Sequence, residues 1–275
     1  MDIKNIDSPA ETQPLYSTSY KEISDILNSK EQLPKIYVAI SCYGHSKYIK
    51  RAVQSVLDST YKNCYVVVVE DFGPDREQVI EEMSSFKDNP RVIFELSDKN
   101  MGCWFQFNHI IEKYLNVHDY ITFLGADDIE HKYRLSYMIA QFMREDIAPE
   151  VVVCSFEKIE KDQDVTLEEM EDTKSDFNYL PSDAVTFHAA HSLMNPAINH
   201  FHIPQVELCG ATTMFKKALW LSGMRFNPPG LNLRVSPGED SDFNIRCALL
   251  LKSTIVFSAK LYYYRQNTGT TICEK

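Results

Sequence analysis

Apolar residues fall in short continuous runs, separated by stretches with helical periodicity. The first run, KIYVAIS (35–41), is compact and β-rich and reads as a buried strand. It breaks at CYGHS. Ile49, Ala52, Val53, Val56 and Leu57 then recur at helical spacing and predict a helix over 46–58. CYVVVVED (64–71) is a second strand, apolar throughout as expected when both faces are covered, and FGPD ends it with turn chemistry. A helix over 76–86, a strand in RVIFELS (91–97), a helix over 105–115 and a strand in DYITFLG (119–125) follow. The second half is less regular. It offers a helix over 132–144, a strand in EVVVCSF (150–156), strand then helix in LCGATTMFKKALWLSG (208–223), and loop then helix in SPGEDSDFNIRCALLLKS (236–253). One or two strands in TIVFSAKLYYYRQN (254–267) close it. The acidic, weakly periodic segment 157–185 reads as a solvated loop or an exposed helix. Residues 1–34 are polar, with a helical patch near 20–27, and read as an N-terminal extension ending at Pro34.

Alternation of strand and helix predicts an α/β domain with a mainly parallel sheet flanked by helices. Ligands of such sheets gather at the carboxyl ends of the strands. Those ends carry Ser41 and Tyr43, Glu70 and Asp71, and Ala126, Asp127 and Asp128, so polar and acidic side chains share one rim.

The net charge of −11 disfavours a nucleic-acid partner, which relies on Lys and Arg against phosphates, but leaves room for a small phosphorylated ligand. The seven cysteines are odd in number, form no C-x-x-C pair and sit partly in apolar runs such as VVVCSF. They read as buried reduced thiols of a cytoplasmic protein. The N-terminus has no apolar signal core and no stretch reaches membrane-spanning length, so at most peripheral contact with a membrane is expected.

Two segments carry candidate chemistry. In Gly125-Ala126-Asp127-Asp128 an apolar strand ends in two carboxylates, the oxygen donors that a magnesium-like ion takes together with substrate phosphates. Gly238-Glu239-Asp240-Ser241-Asp242 opens an amphipathic helix and offers a general base; Asp242 with Arg246 also fits a plain i,i+4 pair. Helix capping is the alternative reading of each segment taken alone, and the second segment by itself is a weak signal. His188, His191, His200 and His202 lie close in sequence, but nothing completes a zinc set, and they read as polar residues on the acceptor side. Tyr262, Tyr263, Tyr264, Trp104, Phe105 and Trp220 read as packing residues.

Taken in order, these pieces resemble the family 2 glycosyltransferases of the GT-A fold, over roughly residues 35–270. The family's first strand, Pro-x-Tyr-Asn turn and Ser-Val-Leu-x-Gln-Thr-Tyr helix end are similar to AISCYGHSKYIKRAVQSVLDSTY here. Its Asp-Asp-Gly-Ser motif corresponds to VVVVEDFGPD, and its Asn-x-Gly segment to Asn100-Met101-Gly102, with Asn108 a helical stretch later. The metal motif corresponds to FLGADD, the Glu-Asp motif to GEDSDFNIR, and the terminal Tyr-Arg-x-His motif to YYYRQN.

The resemblance implies a single Rossmann-like domain. Residues 35–130 would form its nucleotide-sugar-binding half, and residues 131–275 the half that binds acceptor and carries the base. It implies that Ser41, Tyr43, Glu70, Asp71, Asn100, Gly102 and Ala126 hold the nucleotide. Asp127, with Asp128, would hold manganese or magnesium on the diphosphate. Asp240 would be the base, Glu239 would help orient donor or acceptor, Arg246 would brace the Glu-Asp loop, and Arg265 would reach the diphosphate. The implied reaction is inverting transfer from a nucleoside diphosphate sugar, a UDP-sugar being favoured, to a glycan or lipid-linked acceptor. Surface polysaccharide or glycolipid synthesis, in the cytoplasm or at the inner face of the membrane, is the implied setting.

The chain departs from the pattern at Ser41 and Gly44 in the first turn, Ser59 in the helix end, Gly125 in the metal motif, and Asn267, where an imidazole ligand is lost. The metal would then depend on Asp127, water and phosphates, or on Asp128 in compensation. Two further readings stay open: a non-catalytic GT-A-fold binding protein and a metal-dependent nucleotidyltransferase.

Overall fold

The computed structural model of the chain describes residues 16–18, 20–144, 148–170, 177–180, 210–228, 239–250 and 254–268. In chain order its elements are β1 (Tyr16–Thr18), α1 (Tyr20–Asn28), β2 (Ile36–Cys42), α2 (Ser46–Leu57), β3 (Cys64–Glu70), α3 (Arg76–Met83), β4 (Val92–Leu96), α4 (Cys103–Tyr114), β5 (Tyr120–Phe123), β6 (Ile129–Glu130), α5 (Arg134–Phe142), β7 (Val151–Ile159), β8 (Phe177–Leu180), β9 (Thr213–Lys216), α6 (Lys217–Leu221), α7 (Glu239–Leu250) and β10 (Thr254–Arg265).

The strands form one sheet in the order β1-β8-β10-β7-β9-β5-β2-β3-β4, with β6 paired to β10 off this path. Strands β4, β3, β2 and β5 run parallel. Their apolar runs are continuous because both faces are covered. Ile36, Val38 and Ile40 face a layer that includes α2 and α5, whereas Tyr37, Ala39, Val67 and Phe123 face α4, α6 and α7. β9 enters antiparallel to both β5 and β7, which turns the sheet from its parallel half into a mixed half.

The second half shows what periodicity alone misses. β10 is one long strand whose register against β7 shifts after Val256 and again after Lys260. Such irregularities bend a strand, and the bent β10 also pairs antiparallel with β8 and β6. β6 is only two residues long and exists through that pairing, so no run in the sequence announces it. β7 extends three residues beyond 156, into the acidic segment, because β10 runs beside it. β8 is a strand inside the segment read as a loop or exposed helix, while residues 171–176 and 181–185 lie outside the described residues. Part of the polar leader joins the fold: β1 pairs with β8, and Ile23 of α1 is buried against the α2 layer.

A buried ion pair ties the layers together. Arg134, at the start of α5, donates from Nη1 to Glu130 Oε2 at 2.6 Å and to the Phe123 carbonyl at 3.2 Å. Its Nη2 donates to Thr122 Oγ1 at 2.6 Å and to the Ala211 carbonyl at 2.7 Å. One guanidinium therefore joins β5, β6, α5 and the Gly210–Thr212 turn.

The five described cysteines are free thiols, four of them buried; Cys209 and Cys273 lie outside the described residues. Burial pushes the Cys42 thiol up to about 12 and that of Cys154 up to about 11, which keeps them protonated and unreactive. No helix among the described residues is long and apolar enough to cross a membrane.

Candidate active site

Three turns, following β2, β3 and β5, meet at the carboxyl rim of the parallel half. In the first, Ser41 and Tyr43 follow from β2, and Tyr43 is 45% exposed. Gly44, at φ 77°, reverses the chain into His45 and α2. The second turn packs against it. A Cβ on Gly73 would lie 2.9 Å from the Gly44 nitrogen and 3.3 Å from the Tyr43 Cα, so only glycine permits this approach. Asp75 Oδ2 accepts from the Ser46 N–H at 2.7 Å and joins the two turns again.

The second turn also shows what Glu70 and Asp71 hold. Both are buried. Glu70 accepts from the Gly73 N–H at 2.5 Å and from Arg76 Nη1 at 2.8 Å, and Arg76 Nη1 also donates to the Ser97 carbonyl. Asp71 accepts from the N–H groups of Met101 at 3.0 Å and Gly102 at 2.8 Å, and from Gln106 Nε2. Asn100 Oδ1 accepts from the Gly102 N–H as well, at 3.1 Å. The two carboxylates thus fix their own turn and the loop before α4. Phe72 occupies the glycine place of the resembled motif, with φ 57° and 53% exposure, beneath the Arg76 guanidinium. A left-handed conformation is costly for such a side chain. Tyr43 and Phe72 are the large exposed rings of these turns.

The third turn carries the acidic pair. Asp128 is buried; its Oδ1 accepts from the Arg265 N–H at 2.8 Å and its Oδ2 from the Tyr262 hydroxyl. That hydroxyl in turn accepts from the Gly125 N–H at 2.9 Å. Burial first, and the neighbouring Asp127 second, push the Asp128 carboxyl up to about 8, against the bonds from Tyr262 and Arg265. A Cβ on Gly125 would fall 2.2 Å from Asp128 Oδ2. The Asp128 carboxylate therefore fills the space that an acidic side chain at position 125 would need.

Gly125→Ala is expected to cost about 1–3 kcal/mol through overpacking, read from urea unfolding; an unchanged midpoint would contradict this packing. The raised Asp128 value also fixes a sign. Between its ordinary value of 3.8 and about 8 the folded state holds a proton that the unfolded state has released. Stability from this group is therefore full below the lower value and lost as pH rises through the upper one. Asp128→Asn is expected to flatten the fall in urea midpoint between acidic and mildly alkaline buffer, and an unaltered slope would contradict the assignment.

Asp127 is placed differently. Its side chain is 14% exposed, its Oδ2 accepts from Thr268 Oγ1 at 2.8 Å, and His45 Nε2 stands 3.5 Å from the same oxygen. Ala126 beside it is buried. Arg265 holds the Asp127 main chain through Nε to its carbonyl at 2.7 Å. Its Nη1 is spent on the carbonyls of Glu160 and Lys161, at 3.1 and 3.0 Å, and of Gln163, and its guanidinium lies over the Tyr48 ring. Asn267 is exposed, at φ 60°.

The Glu-Asp segment heads α7, beginning with Glu239 and the half-buried Asp240. Asp242 is buried and accepts from Arg246 Nε at 2.9 Å and Asn227 Nδ2 at 3.0 Å; Arg246 also binds the Arg225 carbonyl, so it braces this segment. Asn244 accepts from Thr213 Oγ1 at 2.7 Å, and Phe243 stacks on Phe226 beside Phe215. Since Met214 pairs with Thr122, Thr213 lies at the carboxyl end of β5. The first half of α7 is thereby anchored at the strand end that leads to Asp127.

Asn108 is a packing hub that accepts from Trp220 Nε1 at 2.9 Å and the Phe226 N–H at 3.2 Å. His188, His191, His200 and His202 lie outside the described residues. Sequence reasoning read Tyr262 as a packing residue and did not single out His45 or Thr268. For Tyr262 the one signal is that a buried tyrosine hydroxyl needs a partner, a signal that Tyr263 and Tyr264 beside it share. A manganese or magnesium ion fits Asp127 in its donor chemistry: oxygen and nitrogen donors on one side, with phosphates and water completing the shell. Among the described residues no group of three His, Cys, Asp or Glu closes a metal site without such help.

The model of the family described as Glycosyl transferase family 2 matches residues 37–199. An uncharacterized glycosyltransferase of Rickettsia typhi is 26% identical over 128 residues, covering 46% of this chain and 38% of that protein. One from a Nostoc species is 29% identical over 115 residues, 41% of this chain and 34% of that protein. The chain thus covers well under two thirds of these relatives' lengths. Among solved structures, S. aureus TarS 1-349 in complex with UDP-GlcNAc aligns with a TM-score of 0.60 at 17% identity, over 88% of this chain and 61% of that one. The mannosyltransferase PcManGT from Pyrobaculum calidifontis, in complex with GDP-Man and Mn2+, aligns at 0.54 and 12% identity, over 90% and 60%. At such identities the likeness is one of fold, the GT-A fold.

Proposed function

The chain belongs to glycosyl transferase family 2, and from that premise we propose that it moves a sugar from a nucleoside diphosphate donor to an acceptor hydroxyl with inversion at the anomeric carbon. The observation that carries this reading is the strand-end carboxylate of Asp127. Its Oδ2 accepts from Thr268 and faces His45, and the side chain keeps 14% exposure, while the buried acids Glu70, Asp71 and Asp128 are each held by two or more of the chain's own donors.

Tyr43 and Ser41 line the base end of the donor site, and the loop that Asp71 fixes presents Asn100 and Gly102 to the ribose. Glu70 and Asp71 act by holding these turns, and Arg265 by holding the Asp127 main chain, so neither needs to touch the donor. Asp127 would hold the divalent ion, and Asp128 stands behind it, bonded to Tyr262 and to the Arg265 backbone. Bound manganese or magnesium supplies positive charge to the departing diphosphate. Asp240 accepts the acceptor's proton as that oxygen bonds to the anomeric carbon and the bond from that carbon to the diphosphate oxygen breaks. A UDP-sugar is the favoured donor, consistent with the UDP-GlcNAc bound by TarS, although PcManGT binds GDP-Man. A glycan or lipid-linked hydroxyl at the cytoplasmic face of a membrane, in surface polysaccharide or glycolipid synthesis, is the acceptor this reading favours.

Incubating the protein and Mn2+ with UDP- and GDP-sugars, and assaying the released phosphates, tests the proposal. Nucleoside diphosphate that rises with added acceptor is the expected result. Pyrophosphate would instead indicate nucleotidyl transfer, and metal-independent binding without turnover would indicate a binding protein.

A further inference from the structure

The resembled motif ends on a histidine where this chain has Asn267, yet an imidazole still faces Asp127, from the turn between β2 and α2. His45 Nε2 stands 3.5 Å from Asp127 Oδ2. That separation exceeds an ordinary hydrogen bond, which runs about 2.7–3.2 Å. Two neighbouring ligand atoms on one octahedral cation lie about 3.0 Å apart when each bond is about 2.1 Å, so a closure of about 0.5 Å would bring both side chains onto one ion. Both side chains are largely covered but open to the rim, at 15% and 14% exposure.

Each partner is held in place before any ion arrives. On one side Gly44 turns the chain in the left-handed region, Gly73 packs on the Gly44 nitrogen, and Asp75 caps the Ser46 N–H. His45 also starts α2, its carbonyl accepting from the N–H groups of Tyr48 and Ile49 at 2.9 and 3.0 Å. On the other side Arg265 grips the Asp127 carbonyl and Thr268 Oγ1 bonds the carboxylate oxygen that faces His45. The two donors therefore come from different turns, β2–α2 and the one after β5, and converge without needing either loop to move.

The geometry points to His45 as a direct ligand of the catalytic cation, supplying from the first turn the imidazole that the C-terminal segment lacks. This rests on the donor-site reading given above. His45 would offer its Nε2 lone pair and Asp127 its Oδ2. The donor diphosphate and water fill the other positions. The C-terminal segment still reaches the site, but through the Thr268 hydroxyl that orients the carboxylate rather than through residue 267.

Pulsed electron paramagnetic resonance of Mn2+ bound with UDP reads the ligand directly. With the full chain, a directly coordinated 14N coupling is expected. It should convert to the 15N pattern in protein labelled only at histidine with 15N, and vanish in His45→Gln. Titration of the free Mn2+ signal should show His45→Gln binding the ion at least about tenfold more weakly, the scale on which ligand-sphere changes act. The labelled wild type keeps the test informative should the variant misfold. Bound Mn2+ with intact sugar transfer but no nitrogen coupling, or a coupling that survives in His45→Gln, would overturn the histidine assignment and leave the donor reading standing. No Mn2+ binding, even with UDP, would overturn both.

Discussion

Asp240→Asn is expected to lower kcat by about 10²–10⁴-fold, the usual worth of a general base, while donor nucleotide binds nearly as tightly as before. The amide keeps the shape of the carboxylate but cannot take the acceptor's proton. The segment itself should stay in place, because its anchors lie one turn further along α7: Asp242 on Arg246 and Asn227, Asn244 on Thr213, and Phe243 on Phe226. Steady-state kinetics with saturating acceptor, paired with a nucleotide titration, separate the two effects. Loss of nucleotide binding in this variant, or full retention of turnover, would show that the base is elsewhere.

Arg134→Met is expected to cost about 3–5 kcal/mol of folding stability, because it leaves Glu130 as an uncompensated buried charge. Both side chains of this pair are fully buried. The same change strips donors from the carbonyls of Phe123 and Ala211 and from Thr122 Oγ1. A Glu130→Gln/Arg134→Met double variant should regain part of the loss, since the orphan charge is gone, but not all, since those oxygens remain without their donor. Urea unfolding of wild type, both single variants and the double closes the cycle. An Arg134→Met midpoint equal to wild type would contradict the account, as would a double variant no more stable than that single one. The consequence extends to the site: Arg134 lies over the Tyr262 ring, and Tyr262 positions Asp128 and the Gly125 N–H.

The parallel half was legible because its signal is local. Val66 to Val69 form a strand whose every residue is covered, and Ile49, Val53 and Val56 mark one buried helix stripe, so periodicity and burial coincide. The mixed half was not, because its strands depend on distant partners. Ile129 and Glu130 are a strand only where β10 bends past them, and Phe177–Leu180 lies in acidic sequence yet pairs with β1 and β10. The site divides in the same way. The types and positions of Glu70, Asp71, Asp127 and Asp128 were readable, as was the missing side chain at Gly125. What each carboxylate touches was not, because the deciding partners, Gln106, Tyr262, Thr268 and His45, come from other parts of the chain. The reach of Arg265 toward a diphosphate, implied by resemblance, is in this structure a set of bonds to backbone carbonyls.

The most direct test of the central claim, that Asp127 holds a cation joining protein to donor, is calorimetric titration of UDP into wild type and Asp127→Ala, each with Mn2+ and with chelator. The account predicts that Mn2+ tightens binding to wild type by about tenfold or more, some 1.4 kcal/mol, and leaves the variant's weak binding unchanged. Equal affinity for wild type with and without metal, or an undiminished metal effect in Asp127→Ala, would contradict it.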